Sequence, residues 1–204
     1  TTNSIQTSFR TVREKYHYTV GLDIENQKSQ SHTYVQDSTK NYQTRNVINY
    51  PPNLNFQYRF SKRPNLRFNY RGRSAQPNIE DLQPVIDNSN TTNVRLGNPS
   101  LKPSFNNNLN ATFNTFLSKT SSSLNINLQY SNRMNAVIRK ITYNDDGGRV
   151  TQPVNTNGNW STSGNVLFNT PLKNKKLSIN TTSTAQYSNA VSFTSQGEKE
   201  NSIK

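Results

Sequence analysis

The sequence predicts an all-β fold, an antiparallel meander of about eight strands. Three observations support this prediction. Apolar side chains alternate with polar ones in repeated short runs, which is the period of a strand with one apolar face. No comparable stretch has the period of a helix. Tight basic connections recur about every 50 residues, and long polar segments separate them.

The composition leaves a disordered chain as the main alternative to this fold. Only 29% of the residues are hydrophobic and the net charge is +13, a combination typical of disorder. The periodic spacing of the apolar residues and the 10% of aromatic residues argue against it. The chain contains no cysteine, so neither a disulfide framework nor a thiolate zinc site is predicted.

The predicted strands follow from the alternation, taken in chain order. The clearest run has Tyr16, Tyr18 and Val20 on one side and His17 and Thr19 on the other. The same pattern recurs, with varying strength, along most of the chain. The alternating runs lie at 16–24, 54–60, 66–70, 109–113, 124–130, 166–168, 177–179 and 185–187.

The connections between these runs fall into two length classes. Hairpins are predicted to turn near 14–15, 61–64, 117–120 and 170–175. Long loops are predicted at roughly 27–47, 73–103 and 132–156. Because the two classes alternate, residues 1–204 are predicted to form a single segment with short turns on one side and long loops on the other.

Two architectures fit alternating hairpins. A soluble sandwich buries its apolar face against a second sheet, whereas a transmembrane barrel turns that face to lipid and keeps a polar interior. The residues between the apolar positions are almost all Asn, Gln, Arg, Ser and Thr, and several aromatic residues lie near the short turns. Both features favour part of a large transmembrane β-barrel.

One run carries a resemblance to a known family. The segment NLRFNYRGRSAQPNIEDLQPVIDNSNTTNVRLGNPSLKPSFNNNLNATF, residues 65–113, resembles the β-barrel part of TonB-dependent outer-membrane receptors, and within them the outer membrane protein β-barrel family. The matching features are a strand that ends at Tyr70, the segment PNIEDLQP at 77–84, and GNP at 97–99 followed by LKP at 101–103.

The resemblance implies a barrel of about 22 strands around an N-terminal plug domain, in the bacterial outer membrane. This chain is then expected to be an internal barrel fragment without the plug, since it also lacks a terminal aromatic residue. The implied function is import of a scarce, bulky solute such as a siderophore, cobalamin, a glycan or a peptide. The implied partners are outer-membrane lipid, the plug, and the TonB complex acting through the plug.

Two other hypotheses stay open at this point. One is a non-transporting outer-membrane or surface β protein whose loops bind glycans or cells. The other is a closed eight-stranded barrel. A plug and a TonB-binding segment elsewhere in the gene product would distinguish import from adhesion.

Neither an enzyme nor a cofactor is predicted. The two histidines, His17 and His32, are far apart in sequence, and no serine occupies a nucleophile elbow. The segment Asp145-Asp146-Gly147-Gly148 lacks the other ligands of a calcium loop and is better interpreted as a hairpin tip between 137–143 and 149–154, so no metal site is predicted. Dispersed basic residues without a recognised motif argue against nucleic acid as a partner.

The arginines of one hairpin supply the candidate ligand-binding residues. Arg59, Arg67, Arg71 and Arg73 share odd parity, so a barrel would direct them into its lumen, towards plug carboxylates or an anionic solute. Arg71 and Arg73 lie nearest the long loop and are the predicted ligand contacts. Structural pairing with neighbouring strands is the alternative role.

The stretch VRLGNPSLKP, residues 94–103, is predicted to be a loop-corner motif. Its residues are Gly97, Asn98, Pro99, Leu101, Lys102 and Pro103. Residues before proline are pushed towards extended backbone, Gly97 permits a turn, and Pro103 can open a strand. Leu96 and Leu101 are expected to anchor the returning loop against the barrel rim.

Overall fold

The computed structural model describes most of the chain and is almost entirely β-structure. The described residues are 2–29, 32–35, 38–41, 45–60, 65–83, 86–87, 92–143, 147–172, 176–194, 196 and 198–204. Two of the predicted hairpin turns, 61–64 and the centre of 170–175, lie outside this set. So do Asp145 and Asp146 of the proposed hairpin tip.

Sixteen strands and one short helix are present in the described residues. The strands of the first half are β1 (Thr2–Val12), β2 (Tyr16–Ser29), β3 (His32–Val35), β4 (Ser38–Asn41), β5 (Arg45–Asn49), β6 (Pro52–Arg59), β7 (Asn65–Ala75), β8 (Ile86–Asp87) and β9 (Asn93–Leu96). Those of the second half are β10 (Ser104–Leu117), β11 (Ser122–Met134), β12 (Ala136–Tyr143), β13 (Arg149–Thr156), β14 (Asn159–Pro171), β15 (Ser178–Phe193) and β16 (Lys199–Ile203). The helix α1 (Ile79–Leu82) interrupts the connection from β7 to β8.

The main sheet is an antiparallel meander, which confirms the predicted fold class. Its strand order is β1-β2-β6-β7-β10-β11-β14-β15-β16, and β5 pairs with β2 beside this path. Each strand therefore pairs with the one before it in the meander. Since direction alternates, the connections β1–β2, β6–β7, β10–β11 and β14–β15 all lie at one rim of the sheet, here called the short-turn rim, and the long connections lie at the other.

The register places the apolar positions of neighbouring strands side by side. Phe113 lies opposite Leu66 on one side and Ile126 on the other. Ile126 in turn lies opposite Val166. A one-residue slip would move a strand's whole apolar set to the opposite face, so the agreement across the sheet fixes one apolar and one polar face.

The apolar face has no second layer packed on it within the described part of the chain. Buried hydrophobic residues there are limited to Leu101, Ala136 and Val191, whereas large apolar side chains of the main sheet are exposed, for example Leu128 at 52%. A sandwich would bury such side chains between two sheets. The exposure fits a wall whose apolar face meets lipid.

Aromatic contacts occur near both ends of the apolar face. Tyr58 and Phe60 meet edge to face at 4.6 Å beside the short-turn rim, and at the opposite end Trp160 packs on Tyr187 at 5.6 Å. Along β14, Trp160 and Phe168 are separated by about 26 Å of extended strand. That distance is close to the roughly 25 Å band that outer-membrane barrels present between two aromatic girdles.

The long connections form structure of their own. Strands β12, β13, β9 and β8 build a second sheet, here called the loop sheet, in which β9 runs parallel to β13. β12 and β13 pair from Ala136 to Tyr143 as an antiparallel hairpin, as the sequence predicted for this segment. β12 also contacts β10 and β15, so the loop sheet lies against the wall. In the described residues, no helix is long and apolar enough to cross a membrane.

Candidate functional site

The polar face of the main sheet carries two contiguous hollows near the loop sheet. The first, of 410 Å³, is lined by residues including Asn69, Arg71, Asn110, Gln129 and Ser163. The second, of 540 Å³, includes Arg73, Asn106, Arg133, Val137 and Ile138. Asn108, Ser131 and Ser161 border both hollows. The two hollows together are called the polar-face depression below.

The two arginines predicted from sequence both line this depression. Arg71 lies opposite Asn53 of β6 and Asn108 of β10, and Arg73 lies opposite Asn106. Both side chains are exposed. The structure thus places Arg71 in the first hollow and Arg73 in the second, while Arg59 and Arg67 lie on the same face nearer the short-turn rim.

A third arginine joins the site from β11. Asn106 lies between Arg73 and Arg133 in register, so the two arginines are about 10 Å apart at their Cα atoms. The Nε–H of Arg133 donates to the side-chain oxygen of Asn106 over 2.6 Å. This bond orients one guanidinium group and leaves its other N–H groups for further acceptors. The guanidinium groups of Arg73 and Arg133 lie on the same face and can together hold a carboxylate or a similar oxyanion.

Arg133 was not a predicted site residue, although its parity could have identified it. The prediction ended the strand before a loop starting at Asn132, but β11 continues to Met134. Arg133 then shares the parity of Asn127, Gln129 and Ser131, which all belong to the polar face. The alternation fades there because Asn132 occupies an apolar-face position between Tyr130 and Met134.

The lining of the depression is cationic on the wall side and partly apolar on the loop side. The described linings contain three arginines and no carboxylate. Ala136, Val137 and Ile138 of β12 border the second hollow. The side-chain oxygen of Asn110 and the side-chain nitrogen of Asn159 are buried without a hydrogen-bond partner in the described structure, which leaves hydrogen-bonding capacity in the lining. The arrangement suits an anionic molecule that also has an apolar part.

Gly97 of the loop-corner motif is required by close packing. A Cβ atom at this position would lie 1.6 Å from the backbone oxygen of Gln83. The residue is not among those with positive φ, so the turn permissiveness expected from the sequence is not the reason for glycine here. The next residue, Asn98, donates its backbone N–H to the oxygen of Asp81 over 2.6 Å. The corner is therefore packed directly on the end of α1.

The rest of the motif ties the 76–103 connection to β13 of the loop sheet. The side chain of Asn98 donates to the Pro153 oxygen over 3.0 Å. The Asn155 amide accepts from the Lys102 backbone over 2.7 Å and donates back to the Lys102 oxygen over 3.0 Å. Leu101 is only 1% exposed, the most buried large side chain of the described residues. These contacts are here called the corner clamp. They hold the β7–β10 connection and the β11–β14 connection together.

A smaller hollow of 260 Å³ lies beside Gly97. Its lining includes Glu80 and Asp81 from α1 and Arg95 and Arg139 from the loop sheet. In the residues that the structure describes, no group of three or more His, Cys, Asp or Glu is arranged to hold a metal ion.

A one-layer antiparallel wall with an exposed apolar face, aromatic contacts at both ends and a polar inner face defines a β-barrel wall of the outer-membrane class. The chain belongs to the outer membrane protein β-barrel family, whose description matches it over residues 1–204. Its location is therefore the outer membrane. The polar face is accordingly the luminal face of the wall.

One solved structure has a similar fold within a longer chain. The crystal structure of the siderophore receptor PirA from Pseudomonas aeruginosa is similar to this chain at a TM-score of 0.53 and 12% sequence identity. The match covers 93% of this chain and 33% of the receptor chain, so the segment spans about a third of that protein's length. At this identity the likeness concerns the fold alone. A comparison with curated protein sequences found no match.

Proposed function

We propose that the chain is a barrel-wall segment of a TonB-dependent receptor that imports a scarce, bulky solute across the outer membrane. Family membership and the likeness to a siderophore receptor barrel support this proposal. The plug domain and the TonB complex are the proposed partners. The wall itself satisfies the backbone hydrogen bonds between neighbouring strands and turns its apolar side chains to lipid.

The observation that carries the proposal is the polar-face depression beneath the loop sheet. Arg71, Arg73 and Arg133 give it a positive charge that no carboxylate of the described lining offsets. The apolar border from β12 adds a surface for the non-polar part of a solute. The proposed solute is therefore an anion of more than a few atoms with an apolar portion, held where the wall meets the outer loops.

The test uses the complete receptor with Arg73→Gln and Arg133→Gln combined. Suitable probes are an anionic ferric tricatecholate, an anionic ferric hydroxycarboxylate chelate and cyanocobalamin. Hydrogen bonds to a charged partner contribute about 1.5–3 kcal/mol each, so the Kd of an anionic probe should rise at least tenfold. The matched control is Arg59→Gln with Arg67→Gln, which removes the same charge from the same face near the short-turn rim.

Two results would contradict this account. Equal weakening in both double variants would show a general charge effect rather than a site. Binding of cyanocobalamin with neither anionic chelate bound would remove the anionic-solute assignment. For import itself, uptake of the bound probe should stop when the TonB complex is deleted, and uptake that persists would exclude energised transport.

A receptor that binds glycans or cells without transport is the second candidate. The loop sheet favours it, because strands β8, β9, β12 and β13 and the corner clamp give the outer loops a defined surface. Under this function, cell-surface binding should survive TonB deletion. It should also be insensitive to Arg73→Gln with Arg133→Gln, since those residues lie on the luminal face.

A further inference from the structure

The four tight connections carry most of the net charge of the chain. They comprise residues 13–15, 60–64, 118–121 and 172–177 and contain eight Lys or Arg residues against one acid, Glu14. Their net charge of +7 compares with +13 for all 204 residues. The basic residues are Arg13, Lys15, Lys62, Arg63, Lys119, Lys173, Lys175 and Lys176.

The long connections have no such excess. Residues 30–51, 76–103 and 135–158 together contain seven basic and six acidic residues. The asymmetry therefore follows the two rims of the wall, because all four tight connections lie at the short-turn rim. A cationic chain with randomly placed charge would not divide in this way.

The described cations of this rim lie directly beside exposed apolar side chains. Lys15 precedes Tyr16, an exposed residue of the apolar face, and Lys176 precedes Leu177, which is 61% exposed. Lys119 is two residues from the exposed Leu117. In a membrane, the apolar neighbours fix the depth of these cations at the boundary between hydrocarbon and headgroups, where long basic side chains extend to the polar layer.

We propose that the described cations of the short-turn rim, Arg13, Lys15, Lys119 and Lys176, form a binding surface for anionic glycerophospholipid headgroups, such as phosphatidylglycerol, in the periplasmic leaflet. The described turns at 13–15 and 118–121 are four strands apart, or about 20 Å, so each of them meets its own headgroup. A Lys or Arg near an anionic membrane surface strengthens binding about fivefold. Because the cations are distributed along the rim at lipid depth, a leaflet satisfies them better than one acidic protein segment would.

The test is native mass spectrometry of the complete protein with bound phosphatidylglycerol or phosphatidylethanolamine. The rim variant carries Arg13→Gln, Lys15→Gln, Lys119→Gln and Lys176→Gln. The matched control carries Arg95→Gln, Lys102→Gln, Arg139→Gln and Arg149→Gln, four exposed cations of the long connections. Both variants lose the same charge, and none of the eight residues belongs to the polar-face depression.

The unmodified protein should retain phosphatidylglycerol in preference to phosphatidylethanolamine, and the preference should shrink at high salt. The rim variant should lose it by at least tenfold, while the control variant keeps it. Equal retention of the two lipids by the unmodified protein would overturn the proposal. Loss in the control variant alone would also overturn it, because the anionic lipid would then bind at the opposite rim.

Discussion

Replacing Gly97 by alanine is expected to release the loop corner from α1. The new Cβ would lie 1.6 Å from the Gln83 backbone oxygen, so the two segments must separate by more than an ångström. Overpacking of this kind costs about 1–3 kcal/mol. Separation also breaks the bond from the Asn98 N–H to the Asp81 oxygen, which contributes about 1 kcal/mol. The open population of the corner should rise roughly thirtyfold to several hundredfold.

Native-state hydrogen exchange of the complete protein in lipid nanodiscs measures this change directly. The amides of Asn98 and Lys102 should exchange faster by the same factor, while β10 and β11 of the wall keep their protection. Gly147→Ala is the control, because nothing lies within 4 Å of its Cβ position and its φ of +77° gives only a backbone cost. Unchanged exchange in Gly97→Ala, or a change no larger than in the control, would refute the packing explanation.

Three further substitutions test other contacts. Asn155→Ala removes the hydrogen bonds to Lys102 and to the Asn135 oxygen and should also speed hydrogen exchange at the Lys102 amide. Combined with Gly97→Ala, its effect should be less than additive. Ser122→Ala removes hydrogen bonds of 2.8 Å to the hydroxyl groups of Thr120 and Thr170. Thermal unfolding should show a loss of about 1–2 kcal/mol in stability. An equal loss in the exposed neighbour Ser123→Ala would contradict the role of these hydrogen bonds. Gly72→Ala places a Cβ 2.6 Å from the Phe105 ring and should lower the unfolding temperature. Adding Phe105→Leu to this variant should recover part of the loss. No recovery would show that the ring is not the cause.

The wall could be predicted from the sequence because its two faces have different solvents. Lipid requires apolar side chains at every second position, and a wet interior accepts Asn, Ser and Arg between them. Tyr16 to Ile24 shows this alternation, and the structure places the run in β2, where residues 16–22 lie opposite β6. Arg71 and Arg73 could be assigned to the luminal face for the same reason.

The outer structure could not be predicted in the same way. β8 and β9 have only two and four residues, so no two-residue period marks them, and the sequence predicted the β12–β13 hairpin but not the sheet that it forms with β9. Their pairing is fixed by contacts distant in sequence, such as Asn98 with Pro153 and Lys102 with Asn155. Arg133 was missed because Asn132 interrupts the apolar alternation of β11 two residues before the strand ends at Met134. Gly97 was chosen for its place in the motif, but the reason that the structure gives for a glycine there, the close approach of the Gln83 backbone oxygen, depends on contacts that the sequence does not show.

The central claim is that one face of this sheet meets lipid and the other lines a polar lumen. Spin labels on single cysteines at successive positions 124–130 of β11 test it in the complete, otherwise cysteine-free protein in liposomes. Labels at 124, 126, 128 and 130 should collide mainly with oxygen dissolved in lipid, and labels at 125, 127 and 129 with a water-soluble nickel chelate. Accessibility without a two-residue period, or with the opposite phase, would contradict the account.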